Sequence, residues 1–259
     1  MLPLRDNIPT RRFPVVTVAI IAICVVVFFG LQGAHWNGSG FAVKDSTTVE
    51  YAYIPYELTH MGKECELSDS GQVLCEGKQG VTGEAQDQPT VWLTVLFSMF
   101  MHGGLLHIAG NMLFLWIFGN NVEDSMGRPR FVIFYLLGGL AATLLQTAVN
   151  SDSTVPNLGA SGAIAAVLGG YAILYPRARV ITLIFIVFFV TVLELPALLV
   201  LGGWFVLQLL DAGASSGAGD VGGVAYFAHI GGFLFGMAAI KLFARDVKEN
   251  YVEPRLPVY

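Results

Sequence analysis

Apolar positions in this chain fall in runs too long for strands and too uniform for the one-sided stripe of a surface helix. A helix crossing a bilayer needs about 17 to 25 predominantly apolar residues. Six runs qualify: residues 14–31, 103–119, 131–149, 159–175, 194–211 and 225–243. Two stretches fit no such helix. Residues 32–90 make one long segment, polar in its second half, and residues 180–194 extend the fifth run to about 31 apolar residues between Arg179 and Asp211. One crossing helix does not need that length and two do not fit it. The pattern predicts an all-α integral membrane protein with a bundle of six transmembrane helices. Residues 1–13 form an N-terminal segment, 14–244 the membrane domain and 245–259 a tail.

Composition agrees with a membrane protein and excludes an ordinary soluble domain: 54% of residues are apolar, 13% are charged, and 30 are glycine; the mean hydropathy is +0.64. Charge then orients the path. Of the 14 Lys and Arg residues, a six-span path puts Arg5, Arg11, Arg12, Arg128, Arg130, Arg177, Arg179, Lys241, Arg245, Lys248 and Arg255 on one side. The positive-inside rule makes that side, with both termini, cytoplasmic. Lys44, Lys63 and Lys78 lie in the 32–90 loop on the other face, and long loops translocate largely regardless of charge. A seventh span over 180–194 would move Lys241, Arg245 and Lys248 outside, so this stretch reads as an interfacial or re-entrant excursion on the cytoplasmic side. The net charge of −5 says little beside this distribution, and nothing resembles a nucleic-acid surface. The first run follows Arg11 and Arg12 as a signal peptide would, but Gln32-Gly33-Ala34 is a poor cleavage site and the run is long, so it is read as a retained span.

Cys65 and Cys75 lie in the 32–90 loop. On a non-cytoplasmic face they could form a disulfide closing a short loop, and two free thiols are the alternative. Cys24, in the middle of a span, reads as an apolar filler.

Three constellations carry chemistry. Gly159-Ala160-Ser161-Gly162 puts a serine at a helix N-terminus, where free N–H groups can hold an oxyanion and the glycines allow close backbone approach. It departs from the soluble hydrolase elbow because Ala163 stands where that motif has glycine. Taken alone, it also fits a packing surface of small residues, continued by Ala166 and Gly170. The second constellation is Ala228-His229-Ile230-Gly231-Gly232, with Gly236 completing a second small-residue stripe on the face that carries His229. Two such stripes let the fourth and sixth spans approach, with Ser161 and His229 at matching depth. The third runs from His102 through His107 to Asn111. His107 and Asn111 share a face, while His102 points about 140° away on ideal helix geometry. A zinc protease would want His-Glu-x-x-His, which is missing, so neither a metal nor another cofactor is expected. Imidazole and amide N–H groups on one face suit oxyanion stabilisation instead.

Together these segments make residues 90–244 resemble the rhomboid family of intramembrane serine proteases, with Gly119-Asn-Asn-Val-Glu123-Asp-Ser-Met-Gly127 as a connecting pattern. Tyr175-Pro-Arg-Ala-Arg179 and Gly203-Trp204-Phe205 look like those of prokaryotic members. The resemblance implies a Ser161–His229 dyad without a third acid, in a water-accessible cavity open to the non-cytoplasmic side. It implies an oxyanion hole of the Ser161 N–H, His107 and Asn111, a supporting hydrogen-bonding role for His102, and an architectural role for Glu123. The substrates it implies are single-span membrane proteins, entering beside the fifth span and cut within the bilayer. This chain departs from the family at two points: Ala165 replaces a frequent aromatic beneath the catalytic imidazole, and the 32–90 loop lacks a tryptophan-arginine pair common in members. The glycine-rich run 212–223 reads as a lid or as an inert connector. Two rival functions are an inactive rhomboid-like protein that binds membrane helices, and a transporter, for which no inverted repeat is evident.

Overall fold

The structure, a computed structural model, describes residues 2–38, 40–79, 81, 85, 88–186, 189–215 and 225–247. The chain begins with β1 (Leu2–Asp6) and α1 (Val15–Val26), which continues through a π-helical segment to Leu31. The 32–90 segment holds β2 (His35–Trp36), β3 (Phe41–Ala42), α2 (Asp45–Tyr51), α3 (Pro55–Thr59), β4 (Cys65–Leu67) and β5 (Val73–Cys75). After α4 (Val91–Ser98), α5 (Leu105–Phe114) and α6 (Asn120–Met126) join through a second π-helical segment into one helix, Leu105–Met126. There follow α7 (Arg128–Val149), α8 (Ser161–Leu174), β6 (Arg179–Ile186), β7 (Phe189–Pro196), α9 (Ala197–Ser215) and α10 (Tyr226–Phe243).

Each of the six apolar runs lies on a helix. Three helices, Leu105–Met126, Arg128–Val149 and Tyr226–Phe243, are long and apolar enough to cross a membrane; Val15–Leu31, Ser161–Leu174 and Ala197–Ala212 are shorter apolar helices. The centre is α8, buried without interruption from Gly162 to Ala172. Its small residues admit α7 on one side and α10 on another: a Cβ at Gly232 would collide with the Gly162 carbonyl, and one at Gly236 with that of Ala166. Where lipid competes equally for apolar surface, backbone approach of this kind supplies the packing that holds helices together.

The chain is mostly helical, but it is not all-α. Residues 180–194 lie within an antiparallel hairpin of β6 and β7, paired from Arg179 with Pro196 to Ile186 with Phe189, and β1 lies along the outer edge of β6. Val180, Ile181, Thr182, Ile184 and Phe185 on one strand, and Val190, Thr191 and Val192 on the other, are β-branched or aromatic and fit a pleated surface better than a helix. Pairing also satisfies backbone groups that a single apolar excursion would leave bare. The fifth helix therefore starts at Ala197, after Pro196, and not at 194; it runs on to Ser215. Residues 216–223 of the supposed lid lie outside the described residues.

Buried polar groups pin the helix ends. Glu123 accepts hydrogen bonds from the Val16 N–H (3.0 Å), the Thr17 N–H (2.8 Å) and the Thr17 hydroxyl (2.8 Å), serving the orphan donors at the start of α1. Asp6 accepts from Asn121 (2.8 Å) and the Tyr171 hydroxyl (2.6 Å), tying β1 to the helical core. Arg11 pairs with Asp246, joining the two ends of the described chain.

In the 32–90 segment Cys65 and Cys75 stand opposite each other on β4 and β5 and are joined by a disulfide, while Cys24 is free and buried. Tyr53 donates to or accepts from Thr147 at 2.6 Å, and its carbonyl accepts the Asn157 N–H at 2.8 Å, so this segment is attached to α7 and to the loop before α8.

Candidate active site

Ser161 is the first residue of α8. Gly159, two residues earlier, has φ +137°, a conformation that side chains other than glycine's rarely adopt. Its missing Cβ is also needed for space, since such an atom would lie 3.0 Å from both Cε1 and Nε2 of His107 and 3.2 Å from Ser161 Oγ. The glycine thus lets the imidazole of α5 close over the approach to the serine. Gly162 leaves room on the opposite side, against Ala142.

His229 comes from the first turn of α10. Its Nε2 is 2.7 Å from Ser161 Oγ, and its Nδ1 is 2.6 Å from Gln208 Oε1 on α9. The Trp204 ring lies 5.7 Å from the imidazole, centroid to centroid. Ala165 is fully buried, and a Cβ at Gly232 would stand 3.3 Å from its own Cβ. An aromatic side chain at 165 would therefore collide with α10; the ring beside the imidazole comes from α9.

His107 accepts the Gly103 N–H at Nδ1 (3.4 Å), which leaves the ring proton on Nε2, the nitrogen turned toward Gly159. Asn111 is buried one turn further on, and one of its amide hydrogens goes to the His107 carbonyl (3.0 Å). Its second amide hydrogen remains for another acceptor. The ring of His102 is fully buried and packs edge-on against His107, with centroids 5.2 Å apart. Its backbone is held by Gln32, whose side chain donates to the His102 carbonyl (3.0 Å) and accepts its N–H (2.9 Å).

Ser161, His229, His107 and Asn111 line one cavity of about 800 Å³, walled by Phe41, Leu105, Phe114, Ile164, Leu168 and Trp204. A mostly apolar cavity with a few convergent polar groups has the composition of a small-molecule or peptide site. Among the described residues no group of three or more His, Cys, Asp or Glu could hold a metal ion. The chemistry available is nucleophilic: a hydroxyl hydrogen-bonded to an imidazole, beside N–H donors at a helix start. Sequence reasoning missed Gln208 and Gln32. An uncharged polar residue within an otherwise apolar membrane helix was the signal for Gln208.

A Rhomboid domain model matches residues 89–246. The chain is 30% identical over 159 residues to Rhomboid protein 1, mitochondrial, of Saccharomyces cerevisiae, covering 59% of this chain and 42% of that protein. It is 31% identical over 148 residues to the presenilin-associated rhomboid-like protein, mitochondrial, of Bos taurus, covering 55% and 36%. It is 38% identical over 84 residues to Rhomboid protease GluP of Bacillus subtilis, covering 32% and 16%. The chain spans less than half the length of each of these relatives. With a family match over more than half its length, across the segments that bring Ser161, His229, His107 and Asn111 into one cavity, the chain belongs to the membrane-embedded rhomboid family, which includes serine proteases.

Proposed function

We propose that this protein is an intramembrane serine endopeptidase that cleaves the transmembrane segments of single-span membrane proteins. The observation that carries this reading is the 2.7 Å contact between Ser161 Oγ and His229 Nε2 in a cavity that also holds His107 and Asn111. Ser161 Oγ attacks the scissile carbonyl while His229 Nε2 takes its proton and passes it to the departing amine. Water, deprotonated by the same imidazole, then releases the acyl group from Ser161. The Ser161 N–H, the His107 Nε2–H and the free Asn111 amide hydrogen hold the tetrahedral oxyanion, each such donor being worth about 2.7 to 4 kcal/mol in other serine hydrolases. A helix hides its carbonyls in its own hydrogen bonds, so the substrate unwinds before attack; small or helix-breaking residues near the interface favour this.

In this reading the chain crosses the membrane six times. Segments 1–13 and 245–259 are cytoplasmic, and the cavity opens to the non-cytoplasmic side of a cell membrane. The hairpin of β6 and β7 lies at the cytoplasmic end, together with β1. A fluorophosphonate probe on the purified protein in detergent, mapped by mass spectrometry, tests the chemistry. Labelling at Ser161 that disappears in His229→Ala is expected; a folded protein that resists labelling would instead be a helix-binding relative without protease activity.

A further inference from the structure

We propose that Gln208 is the positioning residue for His229, its amide oxygen doing the orienting work that a carboxylate does in soluble serine hydrolases. This rests on the Ser161–His229 reading above. Gln208 lies on α9, is 9% exposed, and presents Oε1 2.6 Å from His229 Nδ1. An amide oxygen can only accept, so the ring proton sits on Nδ1 and Nε2 keeps the lone pair that faces Ser161 Oγ at 2.7 Å. Trp204, one turn earlier on the same face of α9, lies against the imidazole with centroids 5.7 Å apart. The ring is therefore held at both nitrogens and along one side.

No equivalent support can come from α8. Gly232 brings α10 so close to Ala165 that a larger side chain there has no room. The task passes to α9, which presents the Gln208 amide oxygen to the imidazole. A neutral amide sets the tautomer at lower cost, and it gives up part of the imidazolium stabilisation that an acid would supply. Among the described residues, the groups facing His229 from the packed elements are Ser161 on α8, His107 on α5, and Trp204 and Gln208 on α9. On α7, Gln146 accepts the neighbouring Ala228 N–H. None of these is a carboxylate.

The test uses the full chain in detergent, with histidine ring 15N NMR and the pH profile of cleavage of a labelled single-span substrate. Wild type should show the Nδ1–H tautomer for His229. Gln208→Leu should mix the tautomers and lower kcat about 10-fold to 100-fold, the range lost when the partners that orient metal-bound histidines are removed, with KM unchanged. Gln208→Glu, nearly isosteric, should retain turnover and move the acid limb of kcat/KM to higher pH, because an adjacent carboxylate favours imidazolium. A single Nδ1–H tautomer persisting in Gln208→Leu, or an unmoved acid limb in Gln208→Glu, overturns the proposal. If Gln208→Leu does not fold, the Gln208→Glu limb decides. If the wild type proves unable to cleave or to label at Ser161, the enzyme reading fails separately. The NMR arm then still decides whether Gln208 sets the tautomer: a wild-type Nε2–H ring overturns it.

Discussion

At the scale of single residues, the division of labour around Ser161 leads to unequal penalties. Ser161→Ala and His229→Ala each remove a group that no neighbour replaces, so cleavage of a single-span substrate should disappear while thermal stability in detergent changes little. Retained cleavage in either variant would sink the dyad. His107→Ala or Asn111→Ala should lower kcat about 10²-fold to 10³-fold, the loss known for one oxyanion donor; an effect confined to KM would make them substrate-binding groups instead. Gly159→Ala should resemble the His107 variant. Its methyl would stand 3.0 Å from the His107 ring, on a backbone at φ +137°, so the imidazole must move away from the serine. Normal turnover in that variant would show that His107 does not act from its present place.

Between elements, the contact of α8 with α10 is the most demanding, because carbonyls of one helix occupy the space where side chains of the other would begin. Gly236→Val should force these helices apart and cost at least the 1–3 kcal/mol typical of overpacking, read as a lowered melting temperature in detergent together with lost cleavage. The hairpin of β4 and β5 behaves differently, since it stands away from the cavity. There Glu57 is buried and accepts the Cys65 N–H at 2.9 Å; burial pushes its carboxyl up from 4.5 to about 7. A group whose folded pKa is raised stabilises the fold fully below its unfolded pKa and loses that contribution as pH rises through the folded value. Hydrogen exchange over residues 60–80 should accordingly speed up between about pH 4.5 and 7 beyond its ordinary base catalysis, and Glu57→Gln should abolish the excess. Replacing Cys65 and Cys75 with serine should loosen the same residues and lower thermal stability without removing activity. Complete loss of cleavage would mean that this segment shapes the site.

For the molecule as a whole, the proposed chemistry requires Ser161 and His229 on the same side of the membrane. Cysteine labelling in intact cells should reach Ala85→Cys from outside, and Arg177→Cys or Asn250→Cys only after permeabilisation. Outside labelling at 250 would break the six-span path and would have to be reconciled with a 2.7 Å Ser161–His229 contact. The hairpin of β6 and β7 is what preserves the parity in this path, because it returns to the end from which it left and α9 starts there.

What the sequence by itself determined was the set of six apolar helices and four of the polar residues, Ser161, His229, His107 and Asn111, that line one cavity. Hydropathy acts over whole runs, and glycine at 159, 162, 232 and 236 announces close approach without reference to any partner. The nature of residues 180–194 was only half legible: their apolarity hid a hairpin whose outer edge is lined by β1, more than 170 residues away in the chain, and β-branched content was the single local sign of it. The partners of individual polar side chains were decided by tertiary structure alone. That Ala165 leaves no room for an aromatic, that Trp204 and Gln208 flank the imidazole, that Gln32 clamps His102, and that Cys65 faces Cys75 follow from distances between elements. Those distances are set by how near two backbones can come, and no spacing along one chain segment encodes them.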